Sequence, residues 1–144
     1  MAKSPSVTTS VNERMKDILQ GLKDNLGGVE SIFLIDLETA KLLSSYPQEE
    51  SKDTEFIGTI LGHNVHQFEA QAGRTAQSLF VTEMEIQTDD GKQIFVSRVE
   101  RNILLCLVGS RELKTGFAKR LCEGPVREDI LSTLERMGFQ IGRR

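Results

Sequence analysis

The sequence predicts an α+β domain in which a five-stranded, mainly antiparallel sheet carries helices on both faces. Three observations predict it. The runs Ile32 to Ile35 and Ile103 to Val108 are apolar at every position, so as strands they point apolar groups to both faces and need cover on each. Between them, Asp53 to Arg74 repeats apolar residues at steps of three and four, the repeat of an amphipathic helix. Further on, Asp90-Gly91 separates two alternating stretches, which is the signal of a β-hairpin. Helix, two strands, long helix, three strands and helix form a layered α+β order.

Residues 1 to 10 are small and polar with Pro5, a composition that buries too little surface to order itself, and are expected to form a flexible tail. The first helix is expected from Val11, with Ser10 as its cap and Glu13 three residues on. Met15, Ile18, Leu19, Leu22 and Leu26 mark its buried face, and Gly27-Gly28 ends it. Ser31 to Asp36 is a central strand and Leu37 to Ala40 a turn. Lys41 to Tyr46 is polar enough for an edge strand, and Pro47 and the acidic loop after it lead into the long helix.

On the long helix, capped by Asp53 or Thr54, Ile57, Leu61, Val65, Phe68 and Ala72 form the apolar face. Beside it runs a second stripe of Gly58, Gly62 and Gly73 with Glu69 between them. Glycine inside a helix costs roughly 0.5–1 kcal/mol relative to alanine, so the stripe implies close approach of another backbone. Leu79 to Gln87 reads as a strand with one wetter face, Gln93 to Val99 as its return, and Ile103 to Val108 as the second central strand. Leu113, Phe117 and Leu121 begin a last helix that Gly124-Pro125 splits or kinks before Val126, Ile130, Leu131, Leu134 and Met137 resume it.

With the two doubly apolar strands as neighbours and each hairpin running outward, the edges fall at Lys41 to Tyr46 and Leu79 to Gln87. The second edge has no proline and invites another chain. The long helix precedes it and is placed to meet its own copy across a two-fold axis. The expected dimer interface is therefore Gly58, Gly62, His66, Glu69 and Gly73 with Val81, Glu83 and Glu85. The competing reading of the glycines is close packing of the helix on its own sheet. Phe56, Ile60, His63, Gln67 and Arg74 share a further helix face and are the expected partner-binding residues.

The totals exclude several classes. A net charge of −3 with 27% charged residues creates no field that implies nucleic acid or an acidic membrane surface. Cys106 and Cys122 have no framework spacing, which fits a reducing, cytoplasmic setting. No apolar run approaches the roughly 18 residues of a membrane span, and the opening MAKSPSVTTSVNER has no apolar region of a signal peptide.

The segment GGVESIFLIDLETAKLLSS, Gly27 to Ser45, resembles the signature of the Roadblock family, the dynein light chain and bacterial GTPase-regulator group. A first helix ends in glycine, a "GV" entry follows, then an apolar strand ending in Asp, a turn and a small-residue strand. The resemblance covers residues 11 to 121 in element order, leaving 1–10 as a tail and 122–144 as a C-terminal helical extension. The turn LETAK lacks the glycine usual after the Asp36 position, and the part beyond Pro125 exceeds the minimal domain. The resemblance implies a Roadblock/profilin-like fold and a homodimer or heterodimer with a continuous sheet. It also implies a platform without chemistry of its own that contacts small Ras-like GTPases or scaffolds a larger complex.

The residues themselves offer little chemistry. His63, His66 and Glu69 sit three apart and drift by about 60° per step around a helix, so they do not converge on a metal. Cys106 lies in an apolar strand, and Cys122 has no histidine near it in sequence. Neither GxxxxGK[ST] nor a GxGxxG after a strand occurs, so no cofactor is expected. The mixed-sign run Arg98, Glu100, Arg101 reads as a solvated surface. Activation of a GTPase in trans normally needs an inserted Arg or Gln; Arg74, Arg98 and Arg101 are the arginines weighed, and none is assigned that role. The alternative function is a small-molecule sensor of PAS-like or profilin-like fold, which a cavity over Phe33, Met84 and Leu105 would favour.

Overall fold

The computed structural model describes the backbone of residues 4–46, 52–74 and 81–141, and the side chains of residues 12–46, 57–72, 74 and 81–141. The elements are α1 (Ser4–Asn25), β1 (Val29–Asp36), β2 (Lys41–Tyr46), α2 (Lys52–Gly73), β3 (Glu83–Gln87), β4 (Gln93–Glu100), β5 (Ile103–Gly109), α3 (Thr115–Cys122) and α4 (Pro125–Arg136). The sheet order is β2-β1-β5-β4-β3, with every pairing antiparallel. The two doubly apolar runs are therefore adjacent at the centre, with Phe33 opposite Cys106 and Leu34 opposite Leu105.

Alternate residues of the central strands feed two separate cores. Ile32, Leu34, Leu105 and Leu107 join Met15, Leu19, Leu22, Ala118, Ile130 and Leu134 under α1, α3 and α4. Phe33, Ile35, Leu104 and Cys106 join Leu61 and Val65 of α2, with Val96 from β4. Three helices thus cover one face, and α2 is the helix on the other. Phe33 and Leu105 are completely buried on opposite faces, so among the described residues Phe33, Met84 and Leu105 do not line one cavity, the feature that would have favoured the sensor alternative; the period-two alternation of strands sends them to different faces.

Several boundaries differ from expectation. Helix α1 starts at Ser4, ahead of the expected cap at Ser10, because Pro5 falls in the first turn, where its missing N–H and fixed φ are no obstacle. The glycine-free turn after β1 is built by Asp36: its carboxylate accepts the N–H of Glu38 at 3.0 Å and the hydroxyl of Thr39 at 3.2 Å, while Ala40 takes the left-handed conformation at φ 58°. Gly28, at φ 85°, lies against the backbone of Leu113; a Cβ there would sit 2.6 Å from the Leu113 nitrogen, so only glycine fits. The last helical segment is split: Gly124 at φ 70° separates α3 from α4, which opens with Pro125. Strand β3 begins at Glu83, later than the expected Leu79; residues 79 and 80 lie outside the described residues.

Candidate functional site

Gly58 and Gly62 of α2 face inward. Gly58 and Gly62 are buried, and a Cβ built on Gly58 would lie 3.5 Å from Ile35 Cδ1 and 3.6 Å from Leu42 Cδ2. On Gly62 it would lie 3.4 Å from Ala40 Cβ and 3.7 Å from Ile35 Cγ2. The close approach is therefore between α2 and the chain's own β1–β2 hairpin. At Gly58 and Gly62 this is the packing of the competing reading, the helix lying close on its own sheet. Gly73 lies outside the residues whose side-chain environment is described.

Glu69 is also committed within the chain. Its Oε2 accepts the backbone N–H of Val81 at 2.7 Å and Arg98 Nη1–H at 2.6 Å. Arg98 in turn donates from Nη1 to the Val81 carbonyl at 3.0 Å and from Nε to the Arg101 carbonyl at 2.9 Å. The Arg98 side chain is 5% exposed and that of Glu69 21%. One guanidinium thus ties α2, the stretch entering β3, strand β4 and the β4–β5 turn together, using the fixed donor fork of arginine. Glu69 and the Val81 backbone are thus engaged within the chain, and of the run Arg98, Glu100, Arg101 the first two are not solvated as expected, whereas Arg101 is exposed. Glu100 is buried too, its Oε1 accepting the Asn102 N–H at 2.7 Å.

What α2 leaves outside is a mixed face. Ile60 is 40% exposed and Phe68 54%, with His63, His66, Gln67 and Arg74 exposed around them. The side chain of Phe56 lies outside the described residues. Phe68 shares the helical row of Leu61, Val65 and Ala72, yet it is not buried as expected, because the packing of α2 is concentrated on β1 and β2. On the α2 side of the sheet, Val81, Met84 and Ile86 are only partly buried. The outer side of β3 has no neighbouring strand among the described residues. On the opposite side of the same edge Glu83 and Glu85 are exposed, with Glu83 Oε1 lying 3.4 Å from Lys119 Nζ of α3. The candidate site is this corner: the outer face of α2 and the free edge of β3.

The same elements in the same order occur in known structures. A Roadblock/LC7 domain from Streptomyces avermitilis superposes with a TM-score of 0.70 at 12% identity, covering 83% of this chain and 97% of that one. The gliding protein mglB from Thermus thermophilus gives 0.69 at 18% identity, covering 94% of each chain. The chain has the Roadblock/LC7 fold. MglB in a tetrameric arrangement gives a TM-score of 0.70 at 18% identity over 94% of this chain and 93% of that one. No protein-family model matches the sequence, and no curated protein matches it.

Set on the Roadblock fold, the remaining candidates separate clearly. His63 and His66 lie exposed on α2, and among the described residues no group of three or more His, Cys, Asp or Glu could hold a metal ion. Burial pushes the thiol of Cys106 far above its usual range; Cys122 is pushed up to about 12, by burial first and the Glu123 carboxylate second, so neither is a ready nucleophile. Of the three arginines weighed, Arg98 is held in the ion pair, whereas Arg74 and Arg101 are exposed. No helix among the described residues is long and apolar enough to cross a membrane. Sequence reading missed the Glu69–Arg98 pair, since 29 residues separate the partners; the only trace was an acidic residue interrupting the glycine stripe.

Proposed function

We propose that this chain is a non-enzymatic, dimeric interaction module that binds or regulates a small Ras-like GTPase or scaffolds a larger complex. The observation that carries the reading is the α2–β3 corner, where Ile60 and Phe68 stand out from a helix beside a strand edge that has no neighbouring strand among the described residues. Exposed apolar side chains together with an unpaired strand edge are what an interface uses and what a free-standing monomer avoids. The dimer contact lies along α2 and β3, through His66 and the exposed side of the helix and along Glu83 to Gln87, with a second copy or a paralogue. The tetrameric arrangement of MglB supports self-association as the property to test here. Ile60, His63, Gln67 and Arg74, with Phe56, are the residues offered to a further partner. The setting is the cytoplasm, where buried unpaired thiols stay reduced.

The GTPase part is tested by pull-down with Ras-like GTPases of the same cell, loaded with GDP or GTP, beside a thermal-shift screen of metabolites. The expected result is retention of a GTPase in at least one nucleotide state and loss of that retention in Ile60→Asp. Failure of both nucleotide forms to bind, with a metabolite raising Tm, would replace this reading by a small-molecule sensor.

A further inference from the structure

Edge strand β3 reads Glu83-Met84-Glu85-Ile86-Gln87, with Met84 and Ile86 on the α2 side and Glu83 and Glu85 exposed on the other. Antiparallel strands place opposing side chains on the same face of the sheet, about 4.5–5.5 Å apart at Cβ. If β3 pairs with β3 of a second copy about a two-fold axis, the fully paired register sets Glu85 against Glu85. Slipping one pair in one direction sets Glu83 against Glu85. Slipping in the other direction sets Glu85 against Gln87 and leaves Glu83 facing the hairpin turn that holds Asp89. Like charges therefore meet in the fully paired register and in one of the two slipped ones.

Local cations compensate only in part. Among the described residues one ion pair reaches these two carboxylates, from Lys119 to Glu83 at 3.4 Å, and both of its side chains are about half exposed, where such pairs are weak and screened. The opposing charge discriminates among partners more than it prevents pairing, because the apolar side of the same edge, with Met84 and Ile86 only partly buried, favours association whoever the partner is.

We propose that the β3 edge selects a partner strand carrying Lys or Arg opposite Glu83 and Glu85, from a chain of the same fold but of opposite edge charge, in preference to a second copy of itself. This rests on the reading of β3 as a docking edge. The acidic pair is the repulsive element that specificity between close relatives requires.

The test uses the chain against a charge-reversed version of itself. Wild type and Glu83→Lys/Glu85→Lys, one of them mass-labelled, are mixed in equal amounts at low salt, equilibrated and weighed by native mass spectrometry. Glu85→Lys alone, which keeps the Glu83–Lys119 pair, serves as the second variant. The expected result is a heterodimer-to-homodimer ratio roughly three- to tenfold above the statistical 1:1, falling back toward it at high salt. A statistical mixture at low salt for both variants overturns the proposal while leaving the docking edge intact. Single chains in every mixture overturn it together with the dimer reading on which it rests.

Discussion

Arg98 shows how much one side chain can organise. Its guanidinium is nearly sequestered and reaches Glu69, the Val81 carbonyl and the Arg101 carbonyl. Replacing it by alanine leaves the Glu69 carboxylate without its cation. Breaking a buried pair from one side costs about 3 kcal/mol, taken at the low end because Glu69 keeps some access to water. Arg98→Ala is therefore expected to lower the urea midpoint strongly, and Arg98→Lys to recover only part of it, since a lysine cannot span several acceptors at once. Equal midpoints for Arg98→Ala and wild type would show that the pair contributes nothing net. This pair was not legible in the sequence. Arg98 stands in a run of mixed charges whose local pattern is that of a solvated surface, and nothing within a few residues marks the partner.

At the scale of an element, α2 sharpens the expectation most. Its helical period was legible from Ile57, Leu61 and Val65, and so was the need of its glycines for a close neighbour. Which neighbour was not legible, because small residues serve a contact with the same chain or another one equally well. The geometry assigns the contact to Ile35, Ala40 and Leu42 of the β1–β2 hairpin. A methyl group on Gly58 meets only ordinary van der Waals contacts, at 3.5–3.6 Å, so Gly58→Ala is expected to stabilise the protein by about 0.5–1 kcal/mol through helix propensity. Gly62→Leu is expected to destabilise the fold by about 1–3 kcal/mol, since the longer side chain has no room against Ala40 and Ile35. Thermal melts of the two variants check both signs. A Gly62→Leu protein that keeps its Tm but loses association would return this glycine to the dimer contact.

At the scale of the molecule, the fold was legible almost throughout. Two runs apolar at every position demanded the centre of a sheet covered on both faces, and the short turns fixed the rest by leaving each hairpin only one direction to grow. The observed order β2-β1-β5-β4-β3 is that arrangement. The site was legible only as a place, the corner between α2 and the second edge. Its chemistry was hidden by contacts that cross the sequence: Glu69 and Val81 turn inward to Arg98, while Phe68, assigned to the core by its period, stands half outside. What faces outward from that corner is apolar on one side of the sheet and acidic on the other, which suits association with a chosen partner. Sedimentation equilibrium at micromolar concentration, on wild type and on Phe68→Asp, tests this most directly. A mass of two chains is expected for wild type, and of one chain for a Phe68→Asp protein whose circular dichroism is unchanged; a wild type of single-chain mass, or a dimer indifferent to Phe68→Asp, would contradict the dimer at this corner.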